Sequence, residues 1–377
     1  MEPVSESELS EMIAGADGPL RVVGGGTRPV GRPVEGATLA LTRLSGVVDY
    51  EPGALTLVVK AGTPVAEVER VLAAEGQRLP FEPMDHRGLL GTKGAPTIGG
   101  VVAANVSGPR RIQAGACRDH LLGVRFVDGT GRILKNGGRV MKNVTGYDLV
   151  KLMAGSRGTL GVLSEVSFKV LPEPPAAAVL HLGGLDETRA GEAMCAAIRS
   201  PFEVTGAAHL SEETSSGTSK TLIRIEGFDA SVSYRAGRLA DLLADFGEVT
   251  IERDKAEIAR DWRALRDVAA FHGRAGDVWR YSVRPTQGAT LGALLRAMGA
   301  RALQYDWGGG LVWALVPEGA DMRPDRLDGH ATLIRADEET RTRLPVFQPE
   351  VPPIQKISQA LRDRFDPRGI LNPGLMG

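Results

Sequence analysis

Three glycine-rich segments hold the residues best suited to grip a ligand. They are Val23-Gly24-Gly25-Gly26-Thr27-Arg28, Thr97-Ile98-Gly99-Gly100-Val101-Val102-Ala103-Ala104-Asn105 and Gly155-Ser156-Arg157-Gly158-Thr159-Leu160-Gly161-Val162. Where there is no Cβ, main-chain N–H groups can come close to a ligand, and successive N–H groups in a tight turn form a nest for an anion. Three such segments ahead of one Pro-rich break point to a single long, flat, anionic ligand held by backbone. Gly99 and Gly100 sit in an apolar run of small residues, which argues against a purely turn-forming role. The dinucleotide fingerprint fails, because counting from Gly24 and Gly26 the third position is Pro29, where a glycine is needed for helix packing. The phosphate-binding P-loop also fails: Lys93 precedes Gly94, and no Gly-Lys-Ser/Thr occurs.

Side chains for metal or acid–base chemistry stand apart from one another. The six histidines, at 86, 120, 181, 209, 272 and 330, never fall at short metal-ligand spacing, and His209 is followed by Ser211-Glu212-Glu213 rather than a second histidine. No metal site and no catalytic base are assigned from the sequence. Cys117 and Cys195 are far apart, which suits a reducing compartment better than a disulfide framework.

The elements that must position the glycines are readable in outline. Leu20–Val23 is a short strand running into the triple glycine, and Leu39 and Leu41 mark the next. Residues 46–50, 51–54 and 55–59 read as strand, turn, strand. Thr63-Pro64 opens a helix as N-cap and first helical residue; Val65, Val68 and Leu72 form its apolar face and Gly76 ends it. Strands follow at 124–127, 133–134 and 162–171. Pro172-Glu173-Pro174-Pro175-Ala176 is a boundary. Beyond it, helices over about 187–198, 231–245, 256–269 and 286–298 alternate with strands at 221–225, 249–251, 278–283, 311–315 and 331–334, a pattern for helices packed on an antiparallel sheet. A last helix spans 354–365.

Bulk properties narrow the function class. The chain has 377 residues and a formal charge of −1, enough for two domains and without a global field for nucleic acid. It has no run of about 18 apolar residues, and Met1–Glu6 lacks the basic start of a signal peptide. A cytoplasmic location is expected.

The order of the three glycine segments resembles the FAD-binding domain of the vanillyl-alcohol oxidase/p-cresol methylhydroxylase (PCMH-type) family. Three further stretches resemble, more narrowly, a flavin subunit of bacterial glycolate oxidase: Gly108-Pro109-Arg110-Arg111-Ile112-Gln113-Ala114-Gly115-Ala116, Lys142-Asn143-Val144-Thr145-Gly146-Tyr147-Asp148 and Leu371-Asn372-Pro373-Gly374. The resemblance implies an α+β protein: a PCMH-type FAD-binding domain of two α/β subdomains over 1–172, an α+β cap with an antiparallel sheet over 173–345, and a helix and tail over 346–377 returning to the first domain. It also implies roles for individual residues. Gly24, Gly25, Gly26, Thr27 and Arg28 would hold the pyrophosphate of FAD. Pro83, Met84, Thr97, Ile98, Gly99, Gly100 and Ala103 would line the flavin. Gly158, Gly161 and Val162 would lie near the adenosine, and Asn372 would return towards the isoalloxazine.

Alternatives stay open at three places. Asn372 also suits a turn before Pro373, Thr27 also suits a helix cap, and Arg110-Arg111 suits either a solvated pair or a positive site for a carboxylate. Non-covalent FAD is expected, because no histidine follows the triple glycine and Cys117 reads as a small buried residue. The implied partners are a larger FAD subunit (GlcD-like) and an iron–sulfur subunit (GlcF-like), and the implied substrate is a small 2-hydroxy acid such as glycolate, oxidised to glyoxylate. Arg280, His330 and the turn Trp307–Gly310 are the cap candidates for substrate or flavin contact. Two other readings remain: a stand-alone FAD-dependent D-2-hydroxy-acid dehydrogenase, and a scaffold subunit that has lost the cofactor.

Overall fold

The computed structural model describes residues 1–138, 146–215 and 217–377; the Lys142–Thr145 part of the second signature stretch lies outside them. The chain begins with helix α1 (Glu6–Ala14), whose Leu9 and Ile13 are fully buried, and strand β1 (Leu20–Val23), which pairs in parallel with β2 (Ala37–Ala40). A five-stranded antiparallel sheet follows, built from β3 (Val47–Glu51), β4 (Thr56–Lys60), β5 (Leu121–Val127), β6 (Ile133–Gly137) and β7 (Val162–Lys169) in the order β3-β4-β7-β5-β6. Between β4 and β5 the two longest helices are α2 (Val65–Ala74) and α3 (Ile98–Ala103).

α2 buries Val65, Val68 and Leu72, the face its sequence period predicts. Its start differs from the expectation. Pro64 is the N-cap position and no side chain caps it. Thr63 is drawn off because its Oγ1 donates to Lys60 O at 2.7 Å and accepts from Gly46 N at 2.9 Å. The cap appears instead on α3, where Thr97 Oγ1 accepts from Gly100 N at 3.3 Å.

The second half of the chain forms an eight-stranded antiparallel sheet. Its strands are β8 (Ala176–Gly183), β9 (Val204–Leu210), β10 (Lys220–Gly227), β11 (Val249–Glu252), β12 (Asp277–Val283), β13 (Ala302–Asp306), β14 (Leu311–Val316) and β15 (Gly329–Arg335), in the order β11-β8-β10-β9-β13-β14-β12-β15. That order reads the same from either edge: β8, β9, β10, β11 and β12, β13, β14, β15 occupy mirrored places about the β9–β13 seam, so the sheet is two copies of one four-strand arrangement. Helices α4 (Glu187–Arg199), α5 (Asp229–Leu243) and α7 (Gly288–Ala297) cover one face. Helix α6 (Lys255–Arg266) lies on the other, where Ile258, Trp262 and Leu265 pack on Val179, Ala208 and Leu222.

That second face also meets the first half of the chain. Arg224 on β10 forms a two-pronged pair with Glu82, at 2.9 Å on each prong, while its guanidinium stacks 4.3 Å from the Trp262 ring. Glu226 accepts from Arg78 at 2.9 Å and from Arg110. Burial alone would raise the Glu226 carboxyl; Arg224 and Arg78 more than offset it and hold it below the ordinary range. A final helix, α8 (Pro352–Phe365), leads to a tail that pairs with β1: Leu20 N donates to Ile370 O at 2.7 Å and Asn372 N to Leu20 O at 3.0 Å.

Candidate functional site

β1 delivers its glycine loop into a cleft of about 960 Å³, at the upper end of ligand-pocket sizes. The loop 24–35 forms one wall. The others come from α3, from Arg157–Leu163, from Glu338–Thr342 and from Asn372–Leu375. The backbone N–H groups of Gly24, Gly25, Gly26, Thr27 and Arg28 donate to no described protein group. An array of free amides at a strand end is a site for an anion.

The glycines of this site fall into two kinds. A Cβ on Gly25 would lie 1.7 Å from Ala95 O, and one on Gly161 would lie 2.7 Å from the Phe126 ring, so both are required by close packing alone. A Cβ on Gly100 would meet Thr97 Oγ1 at 3.2 Å and otherwise point into open space beside Arg28. Gly100, Ala103 and Ala104 share the cleft face of α3, while Ile98 and Val102 turn into the core, fully buried. Ile98 therefore presents no side chain to the cleft, and Pro83 is buried outside its wall; Met84 lines it. Gly24, Gly26, Thr27, Arg28, Thr97, Gly99, Gly158, Val162 and Asn372 all line it as well.

Thr27 caps no helix, since residues 28–36 are irregular. Asn372 uses both ends of its amide within the protein: Oδ1 accepts from Val22 N at 2.8 Å and Nδ2 donates to Arg157 O at 2.9 Å. It pins the tail to β1 and to the third glycine segment.

Arginines concentrate positive charge here. Arg28 and Arg157 line the cleft; Arg28 donates to Gly100 O, and the Arg157 guanidinium lies 4.4 Å from the Phe347 ring. Neither has a carboxylate partner among the described residues. Both are packed round by protein while keeping an open fringe. Burial lowers Arg28 to about 10; burial, with Arg28 and Arg280 nearby, lowers Arg157 to about 9. His86 also lines the cleft, with Nδ1 3.3 Å from Met84 O, and burial followed by the charge of Arg28 holds it well below the usual histidine range. Unpaired buried cations are costly unless a ligand supplies the anion. The free amides, the open face at Gly100 and the unpaired arginines together fit the pyrophosphate and flat ring of FAD.

Sequence reasoning placed the glycine segments but passed over His86 and Arg157. Arg157 stands within a quoted segment, directly before Gly158, and that adjacency was the available signal. Of the other candidates, Arg110 is taken by Glu226, and His330 is exposed on edge strand β15. Trp307 is buried at the junction, where its Nε1 donates to Gly108 O at 2.9 Å. Cys117 is fully buried in the core, and burial pushes its thiol up. Among the described residues, no three His, Cys, Asp or Glu side chains gather, and no helix is long and apolar enough to cross a membrane.

A family model described as an FAD-binding domain matches residues 1–137. The chain is 36% identical over 368 residues to glycolate oxidase subunit GlcE of Escherichia coli (strain K12), covering 95% of this chain and 92% of that protein. The chain belongs to the GlcE family. It is an FAD-binding oxidoreductase, as the family match and its relatives show. Beyond GlcE, it is 31% identical over 159 residues to glycolate oxidase subunit GlcD of Bacillus subtilis (strain 168), covering 41% of this chain and 32% of that one. Its fold is that of p-cresol methylhydroxylase, with a TM-score of 0.73 at 13% identity, covering 100% of this chain and 88% of that chain. An alkyldihydroxyacetonephosphate synthase shares it, with a TM-score of 0.69 at 18% identity, covering 99% and 76%.

Proposed function

We propose that this GlcE-family chain is an FAD-carrying subunit of a glycolate oxidase, working in the cytoplasm beside a GlcD-like FAD subunit and a GlcF-like iron–sulfur subunit. The likeness to GlcE over nearly the whole of both chains supports the assignment to that complex. The observation that carries the cofactor reading is the run of five undonated amides, 24–28, facing two arginines that lack carboxylate partners.

In this reading residues 1–172 form the FAD domain, 173–345 the cap, and 346–377 the tail that closes the cleft. Gly24–Arg28 hold the pyrophosphate. Gly99, Gly100, Ala103, Thr97 and Met84 lie along the flavin, and Gly158, Gly161 and Val162 lie towards the adenosine. Asn372 pins the wall through Val22 and Arg157, and its second N–H and remaining lone pair stay available towards the isoalloxazine. Bound FAD supplies the two-electron acceptor for the step that takes glycolate to glyoxylate. The chain's own residues bind the cofactor, bring positive charge to its anionic parts and exclude water.

FAD is held non-covalently in this reading. Cys117 is fully buried and does not line the cleft, and His86 is the residue to watch. Acid precipitation of the loaded protein should leave the yellow colour in the supernatant; colour in the pellet that is lost on His86→Ala would replace this view with a tether.

The deciding experiment is anaerobic visible absorbance of the FAD-loaded chain with glycolate, alone and with its partners, beside Gly100→Val. Val at 100 should remove FAD by filling the open face while the far-UV circular dichroism stays native. Retention of FAD by that variant would sink the placement. Bleaching without partners would assign the oxidation to this chain itself. Bleaching only in the complex would make this subunit an electron carrier or structural partner in it.

A further inference from the structure

Directly paired residues of an antiparallel sheet point to the same face. Arg280 pairs with Trp313 on β14 and with Thr332 on β15, Trp313 pairs with Gln304, and Gln304 with Leu210. Along β9 that face continues through Ala208 to Gly206, which pairs with Arg224, the residue that reaches across to Glu82. Arg280 therefore points at the first half of the chain. Its charge reaches the cleft-lining His86 and Arg157.

At that junction two guanidiniums lie against the Trp307 ring. Arg111, from the first half, is 4.7 Å from the ring centroid, and Arg280, from the sheet, is 5.2 Å from it. Neither donates a hydrogen bond to, or forms an ion pair with, any described residue, in contrast to the adjacent Arg110. The acid whose charge reaches Arg280 is Asp306, whose Oδ1 is occupied by Trp307 N at 2.6 Å and which burial pushes up to about 7, so it is only partly ionised at neutral pH. Asp119 reaches Arg111, but Arg118, its own ion-pair partner, opposes it there, so two like charges are held close in a partly enclosed place with no ion-pair partner of their own among the described residues. A ring face orients a guanidinium by its plane and leaves the N–H edges free.

We propose that Arg111 and Arg280 form a clamp for the carboxylate of a small organic acid, at the junction of the two halves and backed by Trp307. A planar guanidinium matches a carboxylate with two parallel hydrogen bonds. The clamp deepens the glycolate reading and rests on it only for the identity of the acid.

The test uses the FAD-loaded chain and oxalate as the probe, followed by calorimetry and by tryptophan fluorescence, with Arg280→Met and Arg111→Met. Oxalate should bind one to one, uncharged oxamide should not, and each variant should weaken oxalate roughly ten- to hundredfold with FAD content unchanged. Arg280→Lys and Arg111→Lys, which keep charge and ring contact but lose the fork, serve if the Met variants do not fold; they should weaken oxalate several-fold. No oxalate binding, or equal binding by all variants, overturns the clamp. Competition by inorganic phosphate at equal strength overturns the carboxylate assignment. If the chain does not retain FAD, the cofactor reading fails, and the same titration on the FAD-free protein still decides the clamp.

Discussion

Asp306 is a carboxylic acid in a position that favours its neutral form. It is 3% exposed at the end of β13, and burial raises it to about 7, against smaller lowering effects from the Trp307 N–H and Arg224. Because its folded value lies above the ordinary carboxyl value of 3.8, the folded state binds the proton more tightly. Its contribution to stability is complete below that ordinary value and is lost as pH rises through about 7. Asp306→Asn keeps the oxygen that accepts from Trp307 N and cannot ionise. Its melting temperature should match the parent's at a pH below the ordinary carboxyl value, pull ahead as pH rises towards about 7, and stay a few degrees higher at pH 8; a difference that does not change with pH would exonerate Asp306. At this scale the sequence was only partly legible. It could name Gly25, Gly100 and Gly161 but not tell a packing glycine from an open one, because that depends on Ala95, Thr97 and Phe126, distant in sequence from the glycine or facing it only once folded. It left Arg110 and Arg111 as an undivided pair. The fold separates them, giving Arg110 to Glu226 and leaving Arg111 against Trp307.

Between elements, the junction of the two halves depends on buried charge. Arg224 is 4% exposed and bridges β10 to Glu82. Removing one partner of a buried pair leaves the other charge unsatisfied, at about 3–5 kcal/mol. Arg224→Met should therefore lower the melting transition sharply, and Arg224→Met with Glu82→Leu should recover most of the loss, since the second change removes the stranded acid. Equal melting of the single and double variants would mean that Glu82 is satisfied elsewhere. Elements with strong periodicity were readable: the five long helices of the second half and its β-branched strands stand where the sequence places them. Strands β8 and β9 were missed because Ala176-Ala177-Ala178 and Gly206-Ala207-Ala208 are poor strand formers by composition. They are interior strands, and small side chains there let α4 settle closely, with Ala190, Ala193 and Ala197 fully buried. Tertiary packing, absent from any local window, selects those residues.

For the molecule as a whole, the cleft is walled by residues from Arg21 to Leu375. A ligand there binds the folded state alone and stabilises it by mass action, by about 4 kcal/mol at a thousandfold excess over Kd. FAD in excess should raise the melting temperature by several degrees and slow proteolysis after Arg368. Faster or unchanged cleavage of the loaded protein would mean that the tail is not part of the wall. The mirrored strand order of the eight-stranded sheet had no counterpart in the sequence reading, because the two four-strand units share topology without a visible residue repeat.

The pairing of Leu20 with Leu371, and the grip of Asn372 on Val22 and Arg157, also set an order in time. During synthesis, the triple-glycine loop emerges first and waits for more than three hundred residues before its strand gains the neighbour that completes the wall. The wall is complete only once residues 371–375 have been made, so full cofactor binding waits on every element described above.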